Sequence, residues 1–169
     1  MTTPRTTRSK KSSDMLGAFV FVLLLPILLP IIVIALTLHL LAGILLHLAV
    51  WLCWCARGRY VLLVYSDSPI SHDFFEREIV SRLSSRAVVL NWSERKRWRS
   101  SLAVFAFRYF GGWSEFNPLA VVFRPLRPAR SFRFYQPFRE FKHGKPEAVA
   151  KLKGELFEAV NAVTRSRAA

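Results

Sequence analysis

The sequence contains few cysteines, and none of them lies in the part that resembles a folded domain. Only Cys53 and Cys55 occur, both at the end of a long apolar run. A disulfide framework is therefore excluded, and two cysteines without neighbouring ligand residues make a poor metal site. As thiols next to a membrane they could be acylated, or they could simply be apolar residues beside Trp51 and Trp54.

Three glycine-containing motifs are also missing. The phosphate-binding loop Gly-x-x-x-x-Gly-Lys, the dinucleotide motif Gly-x-Gly-x-x-Gly and the Gly-x-Ser-x-Gly elbow of serine hydrolases do not occur. Nucleotide binding by these routes has no support, and we expect no cofactor. A triad of Ser68, His72 and Asp67 is disfavoured, because a triad needs its base held against the nucleophile by a third group.

Charged side chains are absent between Leu16 and Cys55. A helix of this length would be about 60 Å long, whereas the hydrocarbon core of a membrane is about 30 Å thick. We therefore predict a membrane hairpin over residues 16–56; a re-entrant hairpin and one long tilted helix remain open. The two predicted helices cover about 16–36 and 40–55, with Thr37 and His39 near the turn.

Basic residues flank the apolar run on both sides. Arg5, Arg8, Lys10 and Lys11 precede it, and Arg57 and Arg59 follow it. Because cytoplasmic flanks of membrane helices are rich in Lys and Arg, we expect both termini and the domain to be cytoplasmic, at a plasma or inner membrane. Residues 1–15 are expected to be a disordered basic tail, and residues 165–169 a second tail.

Two histidines lie inside the apolar run. The simpler interpretation puts His39 at the turn and has His47 hydrogen-bonded to the facing helix. Intramembrane ionisable groups also suggest function, so a small transport or channel component using the hairpin is an alternative.

The net charge is +14, and most of it comes from residues after Cys55. For a domain beside a membrane, this surplus suggests anionic lipid headgroups as a partner; nucleic acid is the less favoured one. One stretch interleaves aromatic and basic residues as membrane-surface segments do. The residues predicted to face lipid are Trp92, Arg95, Lys96, Arg97, Trp98 and Arg99.

The hydrophobic pattern after the apolar run predicts a basic α/β domain over residues 59–164. Continuous apolar runs are typical of buried strands, and spacings of three and four residues are typical of helices. We expect the first three strands to be parallel, because helices connect them, and the fourth to be antiparallel. The predicted strands are 60–65, 87–90, 119–123 and 133–138, and the predicted helices are 72–83, 94–110 and 146–163.

Two features resemble the thioredoxin and glutaredoxin family. Ser68-Pro69-Ile70-Ser71 follows the first strand where that family has Cys-x-x-Cys, and Asn117-Pro118 precedes the third strand where it has a cis-proline. The β-α-β-α-β-β-α order from Tyr60 to Val163 agrees with this resemblance. It implies a thioredoxin-like fold with a ligand or partner site at Ser68, Pro69, Ser71 and Pro118.

The serines exclude thiol–disulfide chemistry at this site, because that chemistry needs a thiolate. We therefore expect a membrane-anchored interaction module that binds a protein partner and anionic lipid. An enzyme with a site formed by Asp67, Ser68 and Ser71 is the alternative, and the segment could also be an ordinary strand-to-helix turn.

Overall fold

The computed structural model describes residues 8–69, 71–112, 114, 117–125 and 127–168. The chain divides into two compact units, Met1–Ala42 and Gly43–Ala169. The described part of the first unit, residues 8–42, belongs to one long helix. The second is a mixed α/β domain that carries the candidate site.

Helix α1 spans Arg8–Cys53 and is continuous, with Pro26 and Pro30 inside it. The predicted pair of helices is therefore not seen, and Thr37 lies within the helix, where its hydroxyl donates to the Val33 carbonyl at 2.8 Å. Leu and Ile favour the helix and nothing between Ile31 and Ala42 interrupts it. Residues 8–15, predicted to be disordered, also belong to α1. By length and composition, this helix could cross a membrane.

The second unit begins with the last turns of α1. Val50 is fully buried, and Gly43 lies so close to Tyr109 that an added Cβ would overlap the phenol ring. His47 Nε2 lies 3.2 Å from the Arg124 carbonyl oxygen, and its ring packs against Phe110. The prediction that His47 bonds to a facing membrane helix is therefore wrong, because its partners belong to the domain.

A four-stranded sheet with the order β2-β1-β3-β4 forms the centre of the domain. Strands β1 and β2 are parallel, as predicted, whereas β3 is antiparallel to both of its neighbours. The prediction for β3 failed because the chain between β2 and β3 returns to the end of the sheet from which it left, instead of crossing to the other end. The strands are β1 (Val61–Tyr65), β2 (Ala87–Asn91), β3 (Leu119–Arg124) and β4 (Arg127–Arg133).

The helices of the domain agree with the predicted ones only in part. The first is continuous but changes type: α2 (His72–Phe74), a π-helical stretch (Phe75–Val80) and α3 (Ser81–Leu83). The predicted helix 94–110 is divided into a 3-10 helix (Trp92–Arg97) and α4 (Leu102–Phe110). The break occurs because Trp98 has an extended backbone and Ser101 caps the start of α4 by accepting from the Val104 amide.

The region predicted as the fourth strand contains the largest error. Residues 134–138 do not form a strand; β4 ends at Arg133 and helix α5 (Tyr135–Lys142) follows. Pro137 lies in the first turn of α5, where a missing backbone donor is tolerated, whereas it would break a central strand. The last helix, α6 (Glu147–Ala168), begins near its predicted start and continues through most of the predicted C-terminal tail.

Aromatic side chains fill the core around the sheet. All five residues of β1 are buried, as expected for a continuous apolar strand. Phe123 of β3 contacts Trp54 and Phe110, whereas Phe75 contacts Phe134. These contacts join β3 to α4 and to the residue that follows α1, and they join the π-helical stretch to the residue that precedes α5.

Candidate functional site

Two serines of the Ser-Pro-Ile-Ser motif line a pocket at the carboxyl end of β1. Ser68 and Ser71 follow β1, and Pro118 directly precedes β3. Because Val64 pairs with Leu119, these segments meet at the same end of the sheet. The cavity, here named the serine pocket, has a volume of about 240 Å³ and is lined by Ser66, Ser68, Ser71, Asn117, Pro118, Tyr135, Phe138, Arg139 and Lys142.

The predicted ligand residues converge with one exception. Ser68, Ser71 and Pro118 all line the serine pocket, whereas Pro69 does not. Ile70, the third residue of the motif, lies outside the described residues. The Asn117–Pro118 peptide bond is cis, as the resemblance implied.

Helix α5 supplies the positive charge of the pocket. The Phe134 amide donates to the Pro118 carbonyl at 2.9 Å, which joins the start of α5 to the start of β3. Arg139 and Lys142, spaced three residues apart on α5, reach the pocket, and no acidic side chain of the described residues lines it. Arginine and lysine only donate hydrogen bonds, and they bind carboxylate and phosphate oxygens most strongly. The pocket is therefore suited to an anionic group.

Two polar side chains of the pocket have unused hydrogen-bonding capacity. Ser71 is only 5% exposed, and although it occupies a helix N-cap position its hydroxyl caps no backbone amide. The side-chain oxygen of Asn117 is buried and has no partner among the described residues. Buried polar atoms are normally paired. Because Ser71 lines the pocket, its hydroxyl could donate to an oxygen of a ligand there.

Tyr65 is the last residue of β1, directly before Ser66, which lines the pocket. Its hydroxyl donates to Glu76, and its ring stacks on Phe75 with the centroids 5.3 Å apart. Burial raises the pKa of Tyr65, and the hydrogen bond to Glu76 raises it further. The phenol therefore stays neutral at physiological pH and links β1 to the following helix.

Of the three residues of the alternative enzyme site, Ser68 and Ser71 line the serine pocket and Asp67 does not. Asp67 does not line the pocket: its carboxylate accepts from the Asn91 amide group at 2.9 Å, and its backbone N–H donates to Ser93 Oγ at 3.0 Å. The described residues show no hydrogen bond between either serine and an imidazole or carboxylate. Such a bond is the usual way in which a protein activates a serine hydroxyl for nucleophilic attack.

The segment predicted to face lipid lies at the same end of the sheet as the serine pocket. The rings of Trp92 and Trp98 contact each other and Phe107, at centroid distances of 5.6–5.8 Å. Trp98 Nε1 also donates to the Asn91 carbonyl at 3.1 Å. The tryptophans are therefore partly built into the domain. Lipid contact by the four exposed charges, Arg95, Lys96, Arg97 and Arg99, stays a prediction.

The residues that α5 contributes to the pocket were not predicted as site residues: Tyr135, Phe138, Arg139 and Lys142. All but Lys142 were assigned to the predicted fourth strand or lay beside it. Two signals could have revealed the helix. Phe134 and Phe138 are four residues apart, and Pro137 is incompatible with a central strand.

The described residues contain no cluster of three or more His, Cys, Asp or Glu side chains that could hold a metal ion. No family model matches the chain, and neither does any curated protein or solved structure. The functional interpretation therefore depends on the geometry of the serine pocket.

Proposed function

We propose that this chain is a membrane-anchored interaction module with a redox-inactive, thioredoxin-like domain. The observation that carries the proposal is the serine pocket, where Ser68 and Ser71 meet a cis-proline, Pro118. The strand order β2-β1-β3-β4, with β1 and β2 as its only parallel neighbours, supports the thioredoxin-like interpretation. The two cysteines cannot replace the serines, because Cys55 lies near Tyr60 at the other end of β1 and Cys53 precedes it on α1.

The ligand of the pocket would be an anionic group of a protein partner. Arg139 and Lys142 supply positive charge without a neighbouring carboxylate in the described lining, and the Ser71 hydroxyl supplies a further donor. A cavity of about 240 Å³ holds a single side chain or a chain terminus rather than a whole cofactor. Anionic lipid would orient the domain on the membrane.

A photo-crosslinking experiment tests the partner proposal. Tyr135 lines the pocket and is 49% exposed, so a benzophenone amino acid at this position can reach a bound partner. We expect irradiation of cells expressing the full chain to give one discrete crosslinked protein. The double substitution Arg139→Gln and Lys142→Gln should reduce that product about tenfold or more, because hydrogen bonds to charged groups contribute about 1.5–3 kcal/mol each.

Phe141 provides a matched control for this experiment. It lies on the same helix and is 47% exposed, but it does not line the pocket. The photoreactive group at position 141 should give no such product. Equal crosslinking from positions 135 and 141, or a product unaffected by loss of Arg139 and Lys142, would contradict recognition through the pocket.

We also propose that the domain and both termini lie on the cytoplasmic side. Basic residues flank the apolar run at both ends, and α1, at 46 residues, is far longer than the roughly 20 residues that one crossing needs. A bend of the apolar segment within the bilayer would place both basic flanks on the same side.

Reporter fusions at the N-terminus and the C-terminus test this orientation. We expect both fusions to give a cytoplasmic signal, for example activity of a reporter that is inactive after export. An exported N-terminal reporter with a cytoplasmic C-terminal one would instead show that α1 crosses once. A C-terminal reporter outside the cell would contradict the cytoplasmic location of the domain.

A further inference from the structure

The end of the sheet opposite the serine pocket carries a cluster of arginines. The Arg86 carbonyl accepts from the amides of Tyr60 and Val61 at the start of β1. Tyr60 in turn bonds to Thr164 near the end of α6, at 2.7 Å. Arg124 and Arg127 pair across the turn between β3 and β4 at the same end. This surface, named the arginine end, consists of Arg57, Arg59, Arg86, Arg124, Arg127 and Arg165.

The charge of the arginine end is not neutralised within the described part of the domain. None of its six arginines forms an ion pair with a described residue. Elsewhere, Arg77, Arg82 and Arg130 do pair, with Asp73, Glu78 and Glu155 respectively. Unpaired like charges close together raise the local potential and favour an anionic neighbour.

The last turns of α1 lie beside the arginine end. His47 contacts the Arg124 carbonyl, and Trp51 lines a second cavity together with Pro125. The opposite face of these turns is apolar and exposed, with 45–66% exposure at Ile44, Leu45, Leu48 and Leu52. Exposed leucines bordered by arginines match the composition of a membrane interface, where apolar groups enter the bilayer and arginines contact phosphates.

We infer that the arginine end is the surface by which the domain rests on an anionic bilayer. The inference rests on the proposed membrane anchoring and specifies how the domain is oriented there. Its occupant is lipid, because the exposed apolar residues belong to a helix that is long and apolar enough to cross a membrane, and the neighbouring arginines complement anionic headgroups. A consequence is that the serine pocket, at the other end of the sheet, is open to soluble partners.

Cysteine labelling of the full chain in nanodiscs tests this orientation. In a Cys53→Ser and Cys55→Ala background, the substitution Ser85→Cys introduces an exposed thiol next to Arg86. We expect a water-soluble maleimide to label it about tenfold more slowly in discs containing anionic lipid than in neutral discs, since each surface arginine adds about 1 kcal/mol of attraction. Ser100→Cys, near the other end of the sheet, should label at the same rate in both.

Two sets of substitutions that remove equal charge identify the surface. The set R59Q/R86Q/R127Q/R165Q should abolish the lipid-dependent protection, whereas R95Q/K96Q/R97Q/R99Q should preserve it. Replacing the first four by Lys should retain protection, which separates loss of charge from loss of fold. Loss of protection only in the second set would assign the lipid surface to the Trp92–Arg99 segment and overturn the inference.

Carbonate extraction of liposomes separates failure of this inference from failure of the proposed anchoring. A chain released by carbonate would refute membrane anchoring itself. A chain that stays integral, yet labels equally in both lipids, would refute only the arginine end. Protection of the thiol at position 85 by single-stranded RNA in neutral discs, with none by anionic lipid, would likewise overturn it in favour of nucleic acid.

Discussion

Replacing Ser68 and Ser71 by cysteine should produce a chain that closes an intramolecular disulfide under mild oxidation. The amides of Ser71 and His72 both donate to the Ser68 carbonyl, at 3.1 Å and 2.9 Å. Positions 68 and 71 therefore lie on one tight turn. Residues three apart on such a turn have their Cβ atoms about 5–6 Å apart, close enough for a small adjustment to bring the sulfurs into bonding range.

The pocket should also make the thiol at position 68 or 71 reactive. Arg139 and Lys142 line the same cavity, and nearby positive charge lowers the pKa of a thiol by favouring the thiolate. Alkylation should therefore proceed at lower pH than for an ordinary cysteine. Adding Arg139→Gln with Lys142→Gln should shift the pH dependence of the alkylation rate to higher pH. The thiolate gains this stabilisation only above its lowered pKa, so the difference should vanish in acid.

The measurement is a thiol count before and after oxidation, in detergent, in a chain whose Cys53 and Cys55 have been replaced. Variants with cysteine at only one of the two positions serve as controls and should retain their thiol. A folded chain that keeps both thiols would show that residues 68–71 form an ordinary turn. Disulfide reductase activity in the unaltered chain would overturn the redox-inactive interpretation.

Local sequence pattern was sufficient for the buried strands β1 and β3 and for three of the nine residues that line the serine pocket. The continuous apolar runs of β1 and β3 can be recognised because both faces of these strands are covered. Ser68, Ser71 and Pro118 could be selected because the resemblance concerns short segments. The convergence of these segments follows from the pairing of Val64 with Leu119, which is a long-range contact.

The errors arise where tertiary contacts decide between local alternatives. Residues 133–138 alternate like a strand, yet burial of Phe134 and Phe138 against Phe75 selects the helix that carries Arg139 and Lys142. The sequence at the end of α1 has the apolar composition of a membrane helix throughout. Only the fold shows that His47 and Val50 face the domain while Leu45 and Leu48 remain exposed.

The substitution Phe75→Ala should destabilise the domain by about 3–5 kcal/mol, the usual cost of truncating a buried aromatic side chain. Phe75 is fully buried in the π-helical stretch. Its ring contacts Tyr65, Phe134 and Phe138, with centroid distances of 5.2–6.2 Å. Truncation would leave a cavity that these rings cannot fill without moving.

Phe105→Ala is the matched control, because Phe105 is 49% exposed on α4 and its truncation should change stability by about 1 kcal/mol or less. Phe75→Leu, which keeps much of the apolar volume, should recover a large part of the loss. Pulse proteolysis of the full chain in mild detergent across a urea series measures the difference in unfolding free energy. Similar midpoints for Phe75→Ala and Phe105→Ala would show that the aromatic cluster does not form.

The Phe75→Ala substitution also tests whether the aromatic core holds the serine pocket in place. Phe138 contacts Phe75 on one side and lines the pocket on the other, beside Arg139 on the next position of α5. In cells grown at a temperature where Phe75→Ala still accumulates as a folded chain, crosslinking from position 135 should already be weakened, because α5 loses the contact that fixes it against the pocket. Phe105→Ala should leave crosslinking unchanged, since Phe105 neither contacts α5 through an aromatic pair nor lines the pocket.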